Sequence, residues 1–332
     1  MKRNLLKSKK IFFLFIVLTF LFAELGYPKE GETAQYPSRP ITFICPPPTG
    51  SSADLISRFI AKEAERFLGQ PIVVINKPGA GNTLGVAAIA ASKPDGYTIG
   101  YTPPSAMLLT PFMEKLPYHP LKDFQQIIQI TEVPFAVYVK SDSPFKTFKD
   151  FIDFARQNPN KVSYATSGAF SSPHLTMLQI AKKEGVQFIH IPVKGRADFD
   201  TQLLGGHIDS VAGDIQYSLL DAGQYRILVV LGEKRLIEYP QFPTLKDLGY
   251  DISEIIPPSV FINVAGPKGM PEETVKKLEE TFTKAIKEPT FIKALKEIHL
   301  SISYRNSKEM SDYMANSYEF YRKLLKEMGF IK

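Results

Sequence analysis

The sequence ITFICPPPTGSSADLISRFIAKEAERFLGQPIVVI, residues 41–75, contains the pattern that decides the fold. It starts with a short apolar run, breaks at three prolines, continues with apolar residues at helical spacing, and ends in a second apolar run. Short apolar runs between breakers indicate buried strands, and apolar residues spaced by three and four indicate a helix. A strand, a crossover helix and a second strand predict a parallel sheet with a right-handed connection.

The same alternation continues along the rest of the chain. Further strands are predicted at 97–101, 162–166, 188–191 and 260–264. Further helices are predicted in an Ala-rich segment that ends near Ser92, at 148–157, in a segment that begins at Pro173, in a segment that ends at Leu204, at 271–286 and at 307–328. Residues 124–140 read as two strand runs that are broken near residues 132–134. The pattern therefore predicts an α/β protein with two successive series of strands and helices.

We expect these two series to form two lobes. Residues 36–133 would form the first part of lobe 1, residues 134–258 would form lobe 2, and residues 259–332 would return to lobe 1. A ligand cleft is expected between the lobes, because the carboxyl ends of strands and the amino ends of helices converge there.

The amino terminus predicts export. Residues 1–23 are a basic stretch followed by an unbroken apolar run from residue 11, which as a helix would reach only about 20 Å, less than the ~30 Å of a bilayer core. We interpret residues 1–23 as a signal peptide that directs export and residues 24–35 as a polar linker. An uncleaved membrane anchor is the alternative.

Composition excludes several classes of protein. The 332 residues carry a formal charge of +6, and residues 1–23 contain five basic residues and no acidic residue, so the remaining body is nearly neutral. A near-neutral body argues against nucleic-acid binding, which requires a basic surface. Cys45 is the single cysteine, which excludes an intramolecular disulfide.

Three donor-rich loops are candidate anion sites. Residues 49–54 (TGSSAD) and residues 167–174 (SGAFSSPH) each lie between a predicted strand and a predicted helix, and residues 192–197 (PVKGRA) place Lys194 and Arg196 before another helix. Amides at a helix start lack intrahelical partners and carry partial positive charge, so such loops favour anions. In the first loop, however, Ser51 and Asp54 could instead form a capping box. In the second loop, Ser172 is the predicted N-cap, with Pro173 in the first helical position.

The sequence gives little support for a catalytic site or a cofactor site. Residues 79–85 (GAGNTLG) depart from the dinucleotide-binding spacing, and no acidic residue ends the next strand. The five histidines show no pair at metal-ligand spacing, and no G-x-S-x-G motif accompanies His174. We therefore predict no catalytic residues, no metal and no cofactor.

Several motifs in order resemble the extracytoplasmic solute receptors of tripartite tricarboxylate transporters, the Bug receptor family. They are Tyr36–Thr42, Pro46–Asp54, Asn76–Gly81, Pro94–Tyr97, Leu116–Pro120, Asp123–Phe124, Tyr164–Gly168, Pro173–Leu175, Pro192–Gly195 and Leu203–Gly206. The resemblance implies a type II periplasmic binding-protein fold that closes around a small carboxylate. It also implies a periplasmic location, a two-subunit membrane permease as partner, and a ligand held by backbone amides, hydroxyls and water. We expect the chain to be a monomer.

The resemblance, together with the loops, gives a set of predicted ligand-binding residues. They are Thr49, Gly50, Ser51, Ser52, Asp54, Ser167, Gly168, Ala169, Phe170, Ser171, Ser172, His174, Lys194, Gly195, Arg196 and Asp214. The chain departs from the family pattern at Pro47, Ser51, Phe170 and Val193, so the ligand's identity is not carried over. A binding protein that reports to a membrane sensor without transport remains the alternative function.

Overall fold

The computed structural model describes residues 36–168, 171–193, 196–252 and 259–331, without the side chains of Arg196, Ala197 and Ser259. Residues Arg39–Lys332 form one structural unit and Met1–Ser38 another. The predicted signal peptide and the polar linker, residues 1–35, lie outside the described residues.

The described strands form one ten-stranded sheet. They are β1 (Ile41–Cys45), β2 (Ile72–Asn76), β3 (Thr98–Gly100), β4 (Phe124–Lys140), β5 (Ser163–Thr166), β6 (Ile189–Pro192), β7 (Ser210–Asp214), β8 (Tyr225–Leu231), β9 (Ser259–Pro267) and β10 (Ile302–Arg305). β1 pairs in parallel with β2 and β3, and β5 pairs in parallel with β6 and β7. The four strands β7, β8, β9 and β10 pair antiparallel with β4, so the sheet is mixed rather than wholly parallel.

The helices cover the sheet and lie mostly where periodicity predicts them. They are α1 (Ser52–Leu68), α2 (Thr83–Ala90), α3 (Thr110–Met113), α4 (Phe148–Gln157), α5 (Ser172–Glu184), α6 (Arg196–Leu204), α7 (Tyr217–Asp221), α8 (Glu272–Ala285), α9 (Pro289–Glu297) and α10 (Ser307–Glu327). A 3₁₀ turn at Ala80–Asn82 precedes α2, and a π-helical segment at Ser105–Leu109 precedes α3. The sequence pattern does not predict β7, β8, β10, α3, α7 or α9.

The predicted break in the strand at residues 132–134 is wrong. β4 is one continuous strand of 17 residues. Its pairing partners change at the proline: residues up to Pro134 pair with β9, and residues from Phe135 onward pair with β7 and β8. A proline lacks the amide that a ladder hydrogen bond requires, and it is tolerated here because it lies where one set of partners ends and the next begins.

Candidate functional site

Two sets of strand ends define the candidate site. In the first part of the sheet, Cys45 of β1 lies beside Asn76 of β2, and Ile44 lies beside Gly100 of β3. The loops that follow these parallel strands therefore leave the sheet at the same end of the strands. In the second part, Thr166 of β5 lies beside Pro192 of β6 in the same way.

The two sets of loops point toward each other. Gly100 of β3 and Gln126 of β4 both pair with β9, and both pairings are antiparallel. β3 therefore runs in the same direction as β4. β7 is antiparallel to β4, and its last residue, Asp214, lies beside Phe135. Residues 126 and 135 are separated by roughly 30 Å of strand at about 3.3 Å per residue. The loops from both directions occupy this interval, which brings the predicted site residues of both series to one region.

Asp54 organises the first loop. Its carboxylate is 1% exposed. It accepts hydrogen bonds from the Gly50 amide at 2.9 Å, from Asn76 Nδ2 at 2.9 Å and from Arg58 Nε at 3.0 Å. Burial alone would raise the pKa of Asp54, but these donors hold the pKa below its usual value. The carboxylate is thus fully engaged within the protein and fixes the backbone of the loop.

Asn76 fastens the same loop from β2, a role that the sequence analysis missed. Its side-chain amide also donates to the Pro47 carbonyl at 3.0 Å, and its oxygen accepts from Arg58 at 2.7 Å and from Thr49 Oγ1 at 3.1 Å. The available signal was its position, because a polar amide that ends a buried strand projects among the neighbouring loops.

The amides at the start of α1 are only partly used. Ser51 is the N-cap, and its hydroxyl accepts from the Asp54 amide at 3.2 Å. The second bond of a capping box is replaced, since Asp54 accepts from Gly50 rather than from Ser51. Among the described residues, the amides of Ser52 and Ala53 have no hydrogen-bond partner. They are the amides left for an anion, whereas the amide of Gly50 is occupied.

The second loop begins its helix one residue earlier than predicted. The N-cap of α5 is Ser171, and Ser172 is the first helical residue. Pro173 therefore occupies the second helical position, where its missing amide is still not required. The Ser172 side chain hydrogen-bonds to the hydroxyl of Tyr321 in α10, so it connects this loop to the carboxyl-terminal helix.

The Gly168 carbonyl is the centre of the second loop. It accepts from Thr166 Oγ1 at 3.0 Å, from the Ser171 amide at 3.1 Å and from Ser171 Oγ at 2.8 Å. Gly168 has a φ of +139°, which L-residues rarely adopt. The exposed Ser167 precedes it, and the predicted residues Ala169 and Phe170 lie outside the described residues.

A pair of histidines lies behind this loop. His174 is 7% exposed, its Nδ1 is 2.9 Å from the Tyr164 hydroxyl, and its ring lies against the ring of His190. Burial, and then the neighbouring His190, lower the pKa of His174 to about 4. His174 is therefore a neutral packing residue at neutral pH, positioned to support the loop rather than to meet an anion as a cation.

The third loop is described only in part. Lys194 and Gly195 lie outside the described residues, and Arg196 begins α6 without a described side chain. Asp214 ends β7 and is half-buried. Because Ala165 lies beside Val211, Asp214 reaches the same level as the loop after β5. Among the described residues, no group of three or more His, Cys, Asp or Glu is arranged to hold a metal, and no helix is long and apolar enough to span a membrane.

The sequence matches the model of the family described as "Tripartite tricarboxylate transporter family receptor" (TctC) over residues 56–330. The chain belongs to this family. This TctC-family receptor is 35% identical over 306 residues to the Cupriavidus necator "UPF0065 protein in gbd 5'region", with 92% of each chain covered.

Solved structures give the same result for the TctC-family receptor. A TctC solute-binding protein from Polaromonas superposes with a TM-score of 0.76 at 31% identity, over 88% of this chain and 99% of that one. R. palustris Rpa4515 with adipate superposes with a TM-score of 0.75 at 26% identity, over 89% and 98% of the two chains. The receptor thus has the α/β fold of periplasmic solute-binding proteins, which confirms the predicted fold class, and its family is one of solute-binding receptors.

Proposed function

We propose that the chain is a periplasmic receptor that captures a small carboxylate between the two facing sets of loops and delivers it to a two-subunit membrane permease. One observation carries the proposal: the ends of β1–β3 and the end of β7 point toward each other across β4. Four helices, α1, α2, α5 and α6, follow β1, β2, β5 and β6, whose carboxyl ends face this interval. Helix amino ends carry partial positive charge, so their convergence favours an anion.

The charge balance of the interval supports the same ligand class. Asp54 would oppose an anion, but its carboxylate is buried and paired with Arg58 at 3.0 Å. His174 is neutral because its pKa is lowered to about 4. Recognition of the carboxylate nearest these loops would then rest on amides and hydroxyls, which hydrogen-bond a carboxylate.

We assign the residues of this site by what the structure leaves available. Ser52 and Thr49 border the unpaired amides at the start of α1, and Ser167 borders the Gly168 turn. Gly50 and Asp54 would shape the first loop, and Ser171 and Ser172 the second, rather than contact the ligand. Arg196 would hold a distal carboxylate if the ligand is a diacid.

The remaining elements of the proposal concern organisation and partner. Lobe 1 would comprise residues 36–133 and 259–332 and lobe 2 residues 134–258, a division supported by the change of β4 partners after Pro134. A signal peptide at residues 1–23 would direct export. The related R. palustris protein with adipate supports a dicarboxylate of that size as the first candidate ligand.

A thermal-shift panel tests the ligand class. Adipate, succinate, citrate and benzoate are compared with glucose and with neutral adipamide. A ligand at 100 times its dissociation constant stabilises the native state by about 2.7 kcal/mol, which for this size raises the Tm by about 5–10 °C. At least one carboxylate should produce this shift while adipamide does not. A panel in which only neutral solutes raise the Tm contradicts the proposal.

Delivery is tested separately from binding. Vesicles containing the permease should accumulate radiolabelled ligand only when the receptor is added outside. Binding without receptor-dependent uptake would favour the alternative in which the protein reports to a membrane sensor.

A further inference from the structure

The loops of the candidate site lie along one hydrogen-bonding edge of β4, and a cavity of about 410 Å³ lies along the other edge. Phe135 pairs with Asp214 of β7 on one edge and with Leu231 of β8 on the other. Thr131 pairs in the same way with β9 and β10. The cavity is lined by residues of both β8 and β10, so these two strands share the edge that faces away from β7 and β9.

The walls of this cavity are mainly apolar. They include Leu236, Ile237, Ile292, Leu295, Leu300 and Ile302. Ligand pockets for small organic molecules have volumes of about 300–1,000 Å³, apolar walls and a few polar groups. The size and the lining of this cavity agree with that description.

An aromatic group joins the two sides of the cavity. His299 follows α9, and its ring stacks on Tyr217 with centroids 4.4 Å apart, while its Nδ1 lies 2.5 Å from a carboxylate oxygen of Glu238. His299 has a φ of +56° and occupies the position after α9 that glycine usually takes. Its side chain thus connects the segment after β8 to the segment before β10, and a bound molecule would contact both.

The charged groups around the cavity carry a net positive charge. Two of its three carboxylates are paired with cations, Glu132 with Arg305 at 2.6 Å and Glu233 with Lys246 at 2.5 Å, and the third, Glu238, contacts the His299 ring. Arg235 is also paired, with Asp247 at 2.9 Å. The two remaining cations, Lys234 and Lys296, have no ion-pair partner among the described residues, and both are exposed.

We propose that this cavity is a second binding site, for an amphipathic organic anion whose apolar body fills the cavity and whose charged head meets Lys234 and Lys296. Such a ligand differs in class from the small hydrophilic carboxylate proposed for the loops, because the cavity offers apolar walls where the loops offer amides and hydroxyls. The two sites also lie on opposite edges of β4, so each can be occupied without the other.

The absence of tryptophan from the sequence allows a direct test. Ile237 is 71% exposed and lines the cavity, so Ile237→Trp places a single donor fluorophore there. Ile189→Trp, on β6 at a 42% exposed position outside the cavity, is the matched control. The probe is 8-anilinonaphthalene-1-sulfonate, an amphipathic anion whose absorption overlaps tryptophan emission. We expect saturable energy transfer in Ile237→Trp and much weaker transfer in Ile189→Trp; equal or absent transfer overturns the proposal.

Two further measurements test the class of ligand. Lys296→Gln should weaken dye binding about two- to fivefold, the effect of one exposed charge pair, whereas Lys293→Gln on the same helix should not. The neutral analogue N-phenyl-1-naphthylamine should bind less tightly than the anion. Excess adipate should leave the dye in place. Displacement by adipate, or an unchanged affinity in Lys296→Gln, overturns the second site while leaving carboxylate binding at the loops to its own thermal-shift test.

Discussion

The rings of His174 and His190 lie against each other with centroids 3.7 Å apart, directly behind the Gly168 turn. Each ring has a hydroxyl partner: Tyr164 lies 2.9 Å from His174 Nδ1, and Thr166 Oγ1 lies 2.8 Å from His190 Nε2. Thr166 also donates to the Gly168 carbonyl at 3.0 Å. The pair therefore links the interior of the protein to the backbone of a candidate ligand loop, and burial lowers the pKa of both rings.

Stability should consequently fall in acid. Burial, then His190, lowers the pKa of His174 from 6.5 to about 4, so the unfolded state binds more protons between these values. The contribution of neutral His174 to the free energy of unfolding is fully present above about pH 6.5. It falls by about 3 kcal/mol as the pH falls toward 4. Urea unfolding at several pH values should show a shallower pH dependence for His174→Gln. His207→Gln, at an exposed histidine, should keep the wild-type slope, and identical slopes for all three proteins would contradict this account.

Removal of the Asp54 carboxylate should destabilise the first loop. Asp54→Ala leaves the Gly50 amide and Asn76 without their acceptor and releases Arg58, which should lower the free energy of unfolding by about 2–3 kcal/mol. Ser51→Ala removes only the cap and should cost about 1 kcal/mol. Urea denaturation of both variants measures the difference. Equal losses would mean that Asp54 acts only through the helix start.

The second loop should require the backbone conformation of Gly168. An added Cβ would meet nothing within 4 Å, but the φ of +139° is strained for any other residue. Gly168→Ala should therefore lower stability by about 1–3 kcal/mol and also weaken carboxylate binding. Gly206→Ala, where φ is +71° and the space is also open, is the control for strain away from the loop. It should lower stability and leave affinity unchanged. Loss of affinity in both variants would remove the special role of Gly168.

Ser172 and Tyr321 should be energetically coupled. Their side chains are hydrogen-bonded, and the next turn of α5 places Leu175, which is 0% exposed, in the same apolar cluster as Tyr321. Ser172→Ala and Tyr321→Phe should each cost about 0.5–1.5 kcal/mol, and the double variant should cost less than their sum. Leu175→Ala should cost about 2–5 kcal/mol through the cavity that it leaves. Strict additivity of the two polar variants would show that the hydrogen bond contributes nothing.

Local patterns were sufficient for much of the fold. The apolar runs at β1 and β2 and the helical spacing of α1 are visible in the sequence, because burial on one face imposes a period within a single element. The breaker residues after β1 and after β5 likewise mark both candidate loops. By contrast, β7, β8 and β10 were not predicted, since each is stabilised as a strand by pairing with β4, which is distant in sequence.

The roles of individual side chains were decided by the tertiary structure. Ser51 and Asp54 suggested either a capping box or an anion site, and the choice depended on two partners of Asp54. Arg58 lies one turn along the same helix, but Asn76 reaches Asp54 only after β2 has paired with β1. His174 is likewise neutral because the folded structure buries it and, to a smaller extent, because β6 brings His190 against it. The sequence by itself determined many of the helices and strands and where donor-rich loops interrupt them. Only the tertiary structure decided which donors remain free, because hydrogen bonds between distant residues form when the sheet has fixed their separation.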